Sequence, residues 1–168
     1  MIPEKVQRVL NENNLVALEF APGSTPSSEA AANQIGVEVG QIAKSMLLKA
    51  KTGSYYLAVC PGDLRICNKK AKTIIGSRVR MAQASETLQV TGFKPGGVCP
   101  FGLDDLDILI DQRLSRHETI YPAAGNDASG VPVTFSLLQA ITGAKIVDIM
   151  LDSHPEACLY NSENADSE

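Results

Sequence analysis

No run of about 18 consecutive apolar residues occurs in this 168-residue chain, so the sequence offers no membrane-spanning helix. The N-terminus, Met1-Ile2-Pro3-Glu4-Lys5, lacks the basic-then-apolar pattern of a secretory signal. Cytoplasm is therefore the expected compartment. The four cysteines (Cys60, Cys67, Cys99, Cys158) form no C-x-x-C pair, which argues against a zinc ribbon and suggests no disulfide framework. Only two histidines, His117 and His154, are available as imidazole bases. What is present is the balance of a globular protein: 44% apolar and 20% charged residues exclude a wholly disordered chain. The length suits one domain with a core of ordinary size.

Acidic residues are scarce in one place. Between Lys44 and Lys94 stand ten basic residues and two acids, Asp63 and Glu86, within a chain of net charge −4. Such a basic centre is either an electrostatic footprint for a polyanion or a solvated face balanced in space by acidic neighbours. Residues 152–168 hold five acids and no Lys or Arg. They are expected to form an acidic tail behind a domain spanning residues 1–151.

Periodicity and punctuation predict short helices and strands in alternation. Pro3 to Asn13 is amphipathic, with Val6, Val9 and Leu10 on one face. Leu15 to Phe20 reads as a strand, and Thr25-Pro26 opens a second helix that Gly36 can close. Ile42–Leu48 and Tyr55–Cys60 flank a Thr52-Gly53-Ser54 turn and predict a hairpin. Asn68 to Ile75 reads as a helix stopped by Gly76. Ser85 is expected to cap a helix through Val90, and Ser136 one over Leu137–Thr142. Further strands are expected at Leu106–Ile110, from Thr119, over Val131–Phe135 and at Lys145–Met150. This mixture argues for a mixed α/β or α+β domain.

Two features could carry chemistry. Lys44 is in phase with Ile42, Met46 and Leu48 on its strand. Its ammonium either snorkels from an edge or lies in a partly enclosed pocket, where it requires an anionic partner. The loop Gly96-Gly97-Val98-Cys99-Pro100-Phe101-Gly102 offers backbone groups that a ligand can approach closely, suited to a phosphate or an oxyanion. Its spacing is neither a Walker A loop nor a dinucleotide fingerprint, and a plain structural turn is the alternative. Cys99 as a nucleophile would need a base, and neither histidine has a diagnostic setting. Asp104, Asp105 and Asp107 lack a full metal-ligand set, so no metal and no cofactor is expected.

The order of several segments carries a resemblance. Ser24-Thr25-Pro26-Ser27-Ser28-Glu29-Ala30-Ala31 precedes Gln41-Ile42-Ala43-Lys44-Ser45-Met46. Then follow Val59-Cys60-Pro61-Gly62-Asp63, Thr91 to Gly102, and Ile120-Tyr121-Pro122-Ala123-Ala124-Gly125-Asn126. Over about residues 4–150 the chain resembles the YbaK/prolyl-tRNA synthetase-associated domain family, whose members deacylate mischarged tRNA. The resemblance implies an α/β fold around a mixed, barrel-like sheet. It implies a functional lysine at Lys44 and a Gly-x-x-x-Pro loop at Gly96–Pro100, with Lys44 and Gly96 as the catalytic pair. Around them Thr25, Ser45, Gly97, Val98, Cys99, Pro100, Phe101, Gly125 and Asn126 are expected to contact substrate. Some members have a histidine after the first loop glycine, where this chain has Gly97. Pro132 stands where some cysteinyl-tRNA deacylases have an acid, which argues against cysteinyl specificity.

The expected activity is hydrolysis of the ester joining a small amino acid to the tRNA 3′ ribose, with the basic span on the acceptor stem and a synthetase as a further partner. Two other readings stay open. One is a domain of the same fold that binds tRNA or a synthetase without hydrolysis. The other is a hydrolase or transferase working through Cys99.

Overall fold

Residues Ala43 to Pro61 form the hairpin on which the domain is built. Strand β2 (Ala43–Ala50) and strand β3 (Tyr55–Pro61) pair antiparallel from Ala43↔Pro61 to Lys49↔Tyr55. The structure, a computed structural model, describes residues 1–151. The expected acidic tail, 152–168, lies outside the described residues. In chain order the other elements are α1 (Glu4–Glu12), β1 (Leu18–Glu19), α2 (Ser28–Ile35), a 3₁₀ turn at Val39–Gln41, α3 (Asn68–Ile75), β4 (Val79–Met81), α4 (Ala84–Thr91), β5 (Asp107–Asp111), a second 3₁₀ turn at Gln112–Arg116, β6 (Ser129–Gly130), α5 (Phe135–Thr142) and β7 (Lys145–Val147).

The main sheet has five strands in the order β4-β2-β3-β5-β7. Strand β2 pairs antiparallel with both β4 and β3, whereas β5 adds parallel to β3 and β7 parallel to β5. The sheet is mixed, as expected, but it is not closed into a barrel. Its edges, β4 and β7, are three residues each and do not pair. The stretch from Thr119 to Phe135 was expected to supply strands. It makes only the bridges Ile42↔Tyr121 and Ile120↔Val133 and the two-residue β6, which pairs with β1. Pro122 and Pro132 lack the N–H that a continuous ladder needs.

Alternation along the hairpin sends residues to two cores. Ala43, Leu47, Leu57 and Val59 join Val6 and Leu10 of α1, Leu138 of α5, Phe93 and Phe101. Leu48, Ala58 and Cys60 join Ala71 of α3, Ile149 and Met150. A third, smaller cluster packs Ala31 and Ala32 of α2 on Ile42. Helix α3 has the predicted bounds, with Gly76 left-handed at φ 87° after its last turn. Helix α2 begins later than expected: Ser27, not Thr25, accepts the capping bond, from Ala30 N. Likewise Gln83 and Thr134 precede α4 and α5 in place of Ser85 and Ser136. Cys60 and Cys99 are free and buried. Cys67 is disulfide-bonded, contrary to expectation. No helix among the described residues is long and apolar enough to cross a membrane.

Candidate active site

Three loops close over the N-terminal end of β2. The first, before α2, holds Thr25. Its N–H donates to Asp127 O at 2.7 Å, and its Oγ1 accepts from Ser129 N at 3.3 Å. The second is the glycine turn. Gly97 N donates to Lys94 O at 3.0 Å, and Gly96 has φ +91°. Pro95 followed by a glycine at positive φ is the type II pattern. The third, Tyr121–Ser129, is tied to β2 by Ala43 N→Tyr121 O at 3.1 Å and folded back on itself by Ala124 N→Ser129 Oγ at 3.0 Å.

Between these loops and the strand lies a pocket of about 280 Å³. Of the candidate site residues, Thr25, Lys44, Ser45, Gly96 and Val98 line it together. Its floor and apolar side come from Ala31, Ile35, Ile42 and Ala43. Sequence reasoning did not single out Pro26, Ser27, Ser28, Tyr121, Ala123 and Ser129 as lining residues. All but Ser129 lie within the segments that carry the family resemblance. Ser129 had no signal in the sequence, because its place depends on contacts with Thr25 and Ala124.

Lys44 stands exposed at this pocket, and no acid pairs with it among the described residues. Its cross-strand neighbour is Cys60, so both side chains leave the same face of the sheet. Lys44 ends an apolar row, with Met46 and Leu48 following it into the core. The pocket reading and the snorkelling reading are thus both met in part: an apolar stem leads to a solvent-facing ammonium beside a cavity. Ser45 Oγ is shielded from solvent with no hydrogen-bond partner, an arrangement that ordinarily costs free energy.

Six expected contact residues do not line the pocket. Cys99, Pro100 and Phe101 are buried in the core behind the turn. Cys99 Sγ faces Phe101 O at 3.9 Å, and burial pushes its thiol up to about 12. It is neither ionised nor reachable, and His117 lies elsewhere, in a separate polar groove with Glu38 and Tyr121. His154 lies outside the described residues. Gly97 is pressed against Asn126, where a Cβ would fall 2.7 Å from the Asn126 Cα. Asn126 Oδ1 accepts from Ala128 N at 3.0 Å. Gly125, at φ +90°, packs on Pro3 and Phe93. These residues shape the wall without forming its surface. No group of three or more His, Cys, Asp or Glu is placed to hold a metal among the described residues.

The family model for the aminoacyl-tRNA editing domain matches residues 22–140, which include all three loops and Lys44. The chain belongs to this editing-domain family. An uncharacterized protein of Bacillus subtilis, YwhH, is 36% identical over 143 residues, covering 84% of this chain and 89% of that one. A proline–tRNA ligase of Bacillus licheniformis is 33% identical over 90 residues, 52% of this chain but 16% of that enzyme. The editing domain thus also matches an insert-sized part of a longer synthetase. Among solved structures, a candidate trans-editing enzyme for prolyl tRNA synthetase superposes with a TM-score of 0.79 at 31% identity, covering 89% of this chain and 99% of that one. The solved structure shares the mixed α/β fold described above, and with the family match it supports a tRNA deacylase role.

Proposed function

We propose that this protein hydrolyses the ester between a small amino acid and the 3′-terminal ribose of a mischarged tRNA. The observation that carries the reading is Lys44, a cation with no paired acid among the described residues, lining a small pocket together with Gly96. The volume lies just below the roughly 300–1,000 Å³ typical of drug-sized ligand sites. It suits a small aminoacyl group. Selection of this kind is needed because binding alone discriminates poorly between amino acids differing by a methylene.

Aminoacyl esters are activated, so positioning and charge stabilisation can suffice. In this mechanism the Lys44 ammonium neutralises the terminal phosphate or polarises the ester carbonyl. The backbone at Gly96 faces the carbonyl oxygen. Gly97 N–H is committed to Lys94 O within the turn and is not free for this task. Water, oriented by the free ribose hydroxyl, attacks the carbonyl carbon. The ester C–O bond breaks, and the ribose oxygen leaves with a proton, giving free amino acid and deacylated tRNA. A synthetase that delivers the mischarged tRNA is the natural partner, and cytoplasm the natural compartment.

The test is deacylation of alanyl-, seryl-, threonyl- and cysteinyl-tRNA, on cognate and proline tRNAs, by wild type and Lys44→Ala. Hydrolysis of one or two species, slowed about 10²–10³-fold in Lys44→Ala, is the expected result; it is the loss typical of removing one charge-stabilising donor. A folded wild type that binds tRNA yet hydrolyses none of the panel would favour a non-catalytic binding module.

A further inference from the structure

The fold divides the basic span from Lys44 to Lys94 into cations that pair with an acid and cations that find none among the described residues. Lys49 and Arg80 converge on Glu86, at 3.4 Å and 2.8 Å. Lys70 reaches Asp148 at 3.0 Å. Arg65, Lys69 and Lys72 are exposed, and none makes an ion pair among the described residues.

These three lie on the same side of the sheet as Lys44. Lys44 is paired with Cys60, and Cys60 packs in the core that Ala71 of α3 covers. In the segment leading to α3, Leu64 and Ile66 turn inward to that core, so Arg65 points to solvent. On α3, Ala71 is buried while Lys69, Lys72 and Thr73 face out. Lys69 and Lys72, three apart, are neighbours on one helix surface. The stretch starts at the pocket: Gly62 N donates to Ile42 O at 3.0 Å. Arg65 is three residues further, within about 10 Å of chain reach. The one acid between Lys44 and Lys72 is Asp63, whose carboxylate is turned to Gly40.

We infer that Arg65 and the outer face of α3 form the docking track for the phosphate backbone of the tRNA acceptor stem, leading the 3′ end to Lys44. This rests on the deacylase reading for the identity of the RNA. The occupant follows from charge complementarity: a row of cations leading from the pocket, with no acid partner among the described residues, matches a regular polyanion. On the β4 side Lys49 and Arg80 are both engaged by Glu86, and this face takes no part.

The test compares wild type, Arg65→Ala/Lys69→Ala/Lys72→Ala, and a charge-matched triple elsewhere, Arg80→Ala/Arg116→Ala/Lys145→Ala. Uncharged tRNA binding is measured by fluorescence anisotropy across a salt series, and melting curves establish that each variant is folded. The slope of log K against log salt should fall by about two to three units in the first triple, at about 0.9 per phosphate contact, and by less than one in the second. Hydrolysis of aminoacyl-tRNA should weaken with binding, while that of an aminoacyl-CCA fragment without a stem should not. Equal slope losses in both triples would overturn the track. So would unchanged tRNA binding with loss of synthetase co-sedimentation, which would give the face to a protein partner. Absence of hydrolysis of either substrate by wild type would instead sink the deacylase reading, and the salt slopes would still decide whether RNA uses this face.

Discussion

Gly97 and Asn126 are in backbone contact, so close that a Cβ on Gly97 would lie 2.7–2.9 Å from three Asn126 backbone atoms. The glycine turn and the third loop are therefore one wall. Gly97→Ala should force the Asn126 loop outward and disturb the pocket, although Gly97 does not line it. Gly96→Ala meets no such contact, its nearest neighbour being Pro26 O at 3.4 Å, and it suffers from its φ of +91°. That conformation costs a non-glycine residue about 1–2 kcal/mol. Thermal melting and deacylation of both variants should show the larger loss of both properties in Gly97→Ala.

The thiol of Cys99 should be inert. It is fully buried, and burial holds it un-ionised up to about pH 12. Iodoacetamide at pH 8 should leave the folded protein unlabelled at this position, read by peptide mass, and Cys99→Ala should keep its activity. The unfolded thiol ionises near 9. Its contribution to stability is therefore complete below that pH and is lost as pH rises toward 12. Cys99→Ala should flatten part of the alkaline fall in melting temperature. Cys60, also raised by burial and by the Asp111 carboxylate, adds in the same direction.

Glu86 organises the β4 side of the domain. Its carboxylate takes two bonds from Arg80 and one from Tyr55 Oη at 2.8 Å, and caps α4 through Gln83 N at 3.1 Å. Arg80 foremost, then the Gln83 N–H and Tyr55, hold it below the usual carboxylate range. The stabilisation is present above its ordinary value of 4.5 and is lost as pH falls below it. In Glu86→Gln the fall in melting temperature below pH 4.5 should be shallower than in wild type. An unchanged acid limb would show that the cluster contributes nothing.

Asp111 closes the C-terminal end of β5. It is completely buried, accepting from Arg113 N and Ile149 N at 2.9 Å each and from the Arg113 guanidinium at 3.2 Å. Asp111→Ala removes one carboxylate from Arg113, which keeps Asp148 at 2.7 Å, and leaves Ile149 N–H without its acceptor. A buried donor left without its acceptor costs about 1–3 kcal/mol. Urea unfolding should place Asp111→Ala in this range, against which loss of an exposed cation such as Lys69 should register within about 0.5 kcal/mol.

The local rules were legible wherever the chain punctuates itself. The hairpin follows from alternation on either side of Thr52-Gly53-Ser54, and α3 from Asn68 and Gly76. Helix starts were misplaced where two candidate caps stand close together. At Thr25 and Ser27, both able to cap, the choice fell to Ser27 because Thr25 is held by Asp127 and Ser129. The strands expected after Thr119 shrank to bridges because proline removes ladder donors.

By itself, the sequence determined the mixed α/β class and the order of motifs that places the chain among editing domains. Those depend on residue type and local spacing, which the sequence states outright. The tertiary structure decided which glycine-loop residues meet the pocket and which meet the core, because a turn sends neighbouring residues to opposite sides. It also decided which cations meet an acid among the described residues. Glu86 pairs with Lys49 and Arg80, and Asp148 with Lys70, across gaps in the chain that no local pattern records, and only folding brings those charges within Coulombic reach.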